Sequence, residues 1–227
     1  MRIKMLLLSV AVGAAAALAQ TVTVGQMTRI DTPEPAFYPQ LSDDGNSVRV
    51  TAQNYTGIVS VDLATGDCRT LSTQPKAGRH MTDSQVSVNQ DLLMELNRDG
   101  QTIVLAPNGT DCRYLWPQLS PDGKRLAYCV SGRGTYVYDL NAQTTAFVGD
   151  LRAAKWLDNE FLVAMRDRDN GYEVTESTLL VANADGSFQQ AITPESVKAM
   201  YPTAAGGRVV FNTAEGQLYM LNVNINR

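Results

Sequence analysis

The chain has 227 residues, 44% of them hydrophobic, with 19 Lys and Arg against 23 Asp and Glu and a formal net charge of −4. A nucleic-acid binder usually presents a basic face; here the balance is acidic and Lys/Arg runs are absent, so we expect no nucleic-acid partner. One domain rich in β-structure with a substantial core fits this length.

The N-terminus reads MRIK, then an apolar run, then ALA before Gln20. A basic start, a short apolar stretch and a small-x-small site form an export signal. The run is shorter than the roughly 20 residues a membrane span needs. We therefore expect residues 1–19 to be a signal peptide cut after Ala19, and residues 20–227 to form a periplasmic or secreted domain with no further transmembrane segment. The competing reading is a buried N-terminal helix.

Along the chain, YPQLSDDG (38–45) returns as WPQLSPDG (116–123). Each copy opens a unit of strand, Asp-Gly turn, strand, short turn, strand, polar turn, strand. Weaker copies start near residues 83, 153 and 200, giving a period of about 40 residues, the range of propeller blades. The predicted fold is all-β, a single β-propeller of five four-stranded blades. The fifth unit has only three strands before the chain stops. TVTVGQMTRI (21–30) stands in an outer-strand register, so it is expected to pair with the C-terminal strand and close the ring, which hides sheet edges. A free N-terminal arm is the alternative.

The stretch PQLSPDGKRLAY (117–128) resembles the repeat of TolB-type, WD-like propellers. The resemblance covers nearly all of residues 20–227, without the separate N-terminal domain that precedes the propeller in TolB. It implies the fold and leaves function open. The recurring Ser and Asp-Gly read as turn chemistry, Asp initiating the turn and Gly accepting positive φ.

Catalytic constellations are sparse. The one histidine, His80, lies in the linker KAGRHMTD, and no nucleophile-elbow, zincin or phosphate-loop pattern accompanies it. The expected inner strands YPQLS, SQVSV, WPQLS, AAKWL and YPTAA carry no Asp or Glu. A glycosidase needs two such carboxylates, so no enzymatic activity and no cofactor are expected. In DRDNGYEVTE (167–176), Asp167, Asp169 and Glu173 could ligate calcium, but Asn170-Gly171 is also a hairpin turn signal.

In a four-stranded meander, the connections into the inner strands share a face with the turns between second and third strands. That face should hold Tyr38, Trp116 and Tyr201, each followed by proline, with Arg79, His80 and the insertion at 166–177. The candidate binding residues are thus Tyr38, Arg79, His80, Trp116, Tyr201, Arg166, Asp167 and Asp169. Loops on a rigid scaffold often carry function; packing between blades is the alternative role for the aromatics. The expected function is a non-catalytic binding or scaffold protein of the cell envelope that engages another protein. A lectin or glycosidase-like protein acting at the channel mouth is the alternative. Cys68 (GDCRTL) and Cys112 (TDCRYL) occupy matching places in successive units, so both should lie on outer strands of adjacent blades, too far apart for a disulfide.

Overall fold

Alternating runs rich in Val, Thr, Tyr and Leu, cut by Gly and Asp turns, favour short antiparallel strands. A computed structural model describes residues 20–80 and 85–226, leaving the side chains of Arg79 and His80 undescribed, and shows those strands as five radial sheets. The expected signal peptide at 1–19 lies outside the described residues.

The described chain starts with Thr21–Val24 (β1) and Thr28–Ile30 (β2). Blade one follows as Phe37–Leu41 (β3), Ser47–Thr51 (β4), Ile58–Asp62 (β5) and Cys68–Ser72 (β6). After a 3-10 turn at Ala77–His80 comes blade two, Val86–Val88 (β7), Met94–Arg98 (β8) and Gln101–Leu105 (β9). Blade three is Tyr114–Leu119 (β10), Arg125–Val130 (β11), Gly134–Asp139 (β12) and Thr144–Gly149 (β13). Blade four is Arg152–Trp156 (β14), Phe161–Asp169 (β15), Val174–Asn183 (β16) and Gln189–Ala191 (β17). Blade five is Met200–Ala205 (β18), Arg208–Asn212 (β19) and Leu218–Asn226 (β20).

The ring closes as the repeat requires. β1 pairs antiparallel with β20 from Thr21↔Asn226 to Val24↔Val223, and β2 continues from Thr28↔Met220 to Ile30↔Leu218. The register slips by one residue between the two pieces, and Gly25 bridges the gap by donating to the Asn222 carbonyl at 2.8 Å. Val22 enters the buried cluster between blades four and five, and Gln190 grips its backbone on both sides, at 3.1 and 2.8 Å.

Apolar clusters join blade five to four, four to three, three to two, and one to five. None of these four clusters joins blade one to blade two. The Asp-Gly turns do the work expected of them. Ser42 donates to Asp44 at 2.6 Å and Ser120 to Asp122 at 2.7 Å, while Gly45 and Gly123 both stand at φ +69°. The Ser42 hydroxyl and the Asn46 amides hold the Asp44 carboxyl below its ordinary range; Ser120 does so first for Asp122.

Blade two differs from the expected four strands: it has three among the described residues. The sequence TDCRYL does not form its outer strand. Cys112 is buried in a turn, and Tyr114 and Leu115 already belong to β10, the inner strand of blade three. The cause is Tyr114, a fully buried side chain whose phenol accepts from the Asn108 amide at 2.8 Å and donates to the Gly109 carbonyl at 3.0 Å. Burying that ring with its hydroxyl satisfied outweighs extending a solvent-facing strand.

The matching-register argument for the cysteines therefore fails at Cys112, although all three thiols are free. Cys68 is exposed; Cys112 and Cys129 are buried, and burial pushes the Cys129 thiol up to about 11. Alkylation near pH 7.5 is expected to label Cys68 alone, the other two reacting only after denaturation. Peptide mapping by mass spectrometry checks this; rapid native labelling of Cys129, or a Cys68–Cys112 peptide under non-reducing conditions, contradicts it.

Candidate functional site

Four of the five inner strands carry the same irregularity. The ladder shifts by one residue between Phe37 and Gln40, Leu115 and Gln118, Arg152 and Lys155, and Met200 and Thr203. Inside each shift one non-glycine residue takes left-handed backbone: Tyr38 (φ 52°), Trp116 (50°), Ala153 (50°) and Tyr201 (50°). Three of these are followed by Pro39, Pro117 and Pro202. A bulge leaves one residue unpaired and re-aims its side chain, and proline, lacking a ladder donor, is tolerated at such a place. The aromatic-Pro pairs are therefore bulges within the inner strands, where each lifts a ring towards the end of the channel. Blade two pairs β7 with β8 without a shift.

The lifted rings converge on one cavity of about 450 Å³, lined by Tyr38, Tyr55, Trp116, Lys155 and Tyr201 with the bulge prolines Pro39 and Pro202. Tyr38 stacks on Tyr55 at 4.4 Å between centroids and tilts against Tyr201 at 4.8 Å. Thus Tyr38 and Tyr201 pack across the seam of blades one and five, while Trp116 is 44% exposed. The tyrosine rings pack against one another, while the tryptophan ring is open to solvent. Burial raises the Tyr38 hydroxyl's pKa, with further upward pushes from Tyr55 and Tyr201. Tyr201 is raised mainly by burial, then by Tyr55 and Asp167. These phenols stay neutral and able to donate hydrogen bonds.

Two residues after each bulge position stand Gln40, Gln118, Lys155 and Thr203. Thr203 accepts from the Leu41 amide at 3.1 Å and so ties blade five to blade one. The side-chain oxygens of Gln40 and Gln118 are buried without a protein hydrogen-bond partner among the described residues, and Gln40 lines the cavity.

The insertion at 166–177 is a hairpin extension of β15 and β16. Asn170 accepts from the Tyr172 and Glu173 amides at 3.0 Å each, Gly171 takes φ +86°, and Tyr172 stands fully exposed at the tip. This geometry is that of a hairpin turn. The two carboxylates face a cation: Arg152 lies 2.9 Å from Asp167 and 3.7 Å from Asp169. Glu173 sits in the tip turn, and no metal-binding group of three or more acidic, His or Cys residues occurs among the described residues. Arg166 donates to Gln189 at 2.7 Å and does not line the cavity. Arg79 and His80 belong to the 3-10 turn whose Gly78 lines the cavity, but their side chains lie outside the description.

Tyr38, Trp116 and Tyr201 thus line one cavity, while Asp167 and Asp169 pair with Arg152 outside its lining. Sequence reasoning missed Tyr55, Gln40, Gln118 and Arg152. Tyr55 lies between the second and third strands of blade one, the turn class assigned to this face, so the meander rule could have found it. The glutamine was visible in both copies of the repeated octamer.

No family model matches this chain, and no curated protein matches it. A solved structure of a protein assigned as TolB, from Agrobacterium tumefaciens, aligns over 91% of this chain and 88% of its own, at 15% identity and a TM-score of 0.42. The propeller is established by the sheets themselves.

Proposed function

We propose that this chain is a non-catalytic binding protein of the cell envelope that holds a polypeptide partner over the aromatic mouth of its propeller. The observation that carries the reading is the mouth itself, an exposed Trp116 beside stacked tyrosines. Aromatic anchors at the centre of a patch supply most of the energy of many protein interfaces. The inner strands carry no Asp or Glu, which favours binding over glycoside hydrolysis. The envelope location is supported by the leader at residues 1–19, and the expected exported protein has the mass of residues 20–227.

The test is capture of envelope proteins on the folded chain, followed by titration of the captured partner. Trp116→Ala should weaken binding about fivefold or more, because truncating an anchor costs more than about 1 kcal/mol. Replacing Asp67 and Asp185, in the turns at the other end of the blades, by Ala should leave affinity within about twofold. The reverse pattern, with both proteins folded, places the partner on the opposite face and removes this reading. Glycan binding competed by free sugar would replace it with the lectin alternative.

A further inference from the structure

Among the described residues, the outer position of blade two is open. The chain leaves β9 and reaches the inner strand of blade three through residues 106–113 without laying down a fourth strand. That shortcut is fixed from several sides. Asn108 gives its amide to the Tyr114 phenol at 2.8 Å, its side chain accepts from the Tyr128 hydroxyl at 2.7 Å, and its carbonyl accepts from the Cys112 thiol at 3.1 Å.

The missing strand uncovers both walls of the seam between blades two and three. On blade two, Ile103 pairs with the buried Leu96 and shares its face, yet is 43% exposed. On blade three, Tyr128 pairs with Tyr136 and Tyr136 with Phe147, so their rings form a ladder on one face, spaced 6.1 and 5.1 Å. Tyr128 is buried in the seam, whereas Phe147 is 52% exposed. The edge strand Gln101–Leu105 carries no charge and no proline, the usual devices that protect an open edge.

The same chain shows what fills such a vacancy. Blade five also lacks its own fourth strand, and the distant segment at 21–30 supplies it, sending Val22 into the seam with blade four while Thr21 and Thr23 stay exposed.

We propose that blade two binds an extended strand of a partner protein, hydrogen-bonded along Gln101–Leu105, with alternate apolar side chains seated between Ile103 and the Tyr136–Phe147 ladder. This is strand addition to a free sheet edge: backbone pairing gives affinity and the alternate pockets give selectivity. A single strand suits the opening, since a second propeller would bring a whole blade against a seam missing one strand. The site is separate from the aromatic mouth and does not depend on it.

The probe is a synthetic peptide with the sequence of residues 20–30, the strand-adding segment of this chain, whose own position is filled within the molecule. At about millimolar peptide, amide exchange at 101–105 should slow about tenfold or more. Val104→Lys, a charge on the open edge, should weaken the peptide about tenfold. Phe147→Ala should weaken it several-fold while keeping the parent's melting curve, and Trp116→Ala should leave it unchanged. Should Val104→Lys fail to fold, Phe147→Ala with the exchange map decides. No protection at 101–105, or protection equal in the Phe147 variant, overturns the proposal. So does concentration-dependent protection without peptide accompanied by dimers in sedimentation, which assigns the edge to a second copy. Loss of mouth binding with peptide protection intact removes only the function proposed above.

Discussion

A chain shortened to begin at Glu34 is expected to melt about 8–16 °C below one that begins at Gln20, as a domain of this size loses about 2–4 °C per kcal/mol. The loss has three parts. Val22 leaves a site where it is 6% exposed, and burying a valine contributes about 1.5 kcal/mol. The antiparallel ladder of β1 and β2 with β20 disappears, each bond having a net value of about 0.5–1.5 kcal/mol. Gln190 loses both of its bonds to Val22. Together these exceed about 4 kcal/mol. The uncovered edge of β20 should also raise aggregation on heating. Calorimetry on the two chains checks the claim, and Val22→Asp in the long chain should lower the melting point in the same direction. Melting points within about 2 °C would mean that the N-terminal strand does not hold the ring.

That strand was legible because it repeats a register: the Thr-Pro linker at 32–33 returns at 193–194, each time before an inner strand. Repeats expose whatever recurs. The bulge aromatics recur at 38, 116 and 201, so they could be assigned to one face from spacing alone. Blade two was misread for the opposite reason. TDCRYL copies the local pattern of GDCRTL, but the stretch between Leu105 and the inner strand at Tyr114 is too short to turn, run along β9 and cross back. Tertiary burial of Tyr114 then decides between two locally equivalent strands. Arg152 was invisible for a further reason. Nothing in the sequence near 152 indicates that a hairpin folded from residues 161–183 will bring Asp167 beside it.

Arg152→Ala is expected to lower stability by about 2–3 kcal/mol at pH 7.5, below the 3–5 typical of a broken buried pair because the arginine side chain is itself 42% exposed. The Asp167 side chain is only 2% exposed, and Arg152 is its ion-pair partner at 2.9 Å. Burial raises the Asp167 carboxyl above its ordinary range, and the Arg152 charge partly offsets that push. A carboxyl whose folded pKa is raised binds more protons in the folded than in the unfolded state, so its contribution to stability falls as pH rises from the ordinary carboxylate value through the raised one. Removing Arg152 takes away the offset, moves the folded value higher and enlarges the fall. Near pH 4 the carboxyl is largely protonated in the folded variant and half protonated when unfolded, so less than about half of the loss should remain. Urea unfolding of both proteins at pH 4 and 7.5 measures this. Asp167→Asn added to the Arg152 variant should restore most of the stability at pH 7.5, because a neutral amide at that site no longer needs a cation. A loss of the same size at both pH values, with no recovery from Asp167→Asn, would mean that Arg152 supports the hairpin by packing alone. In the parent protein the pair holds the hairpin base beside Ala153, the blade-four bulge residue that lines the mouth. Weakening the pair should therefore also loosen the mouth, seen as faster amide exchange at 166–177 in the Arg152 variant than in the parent.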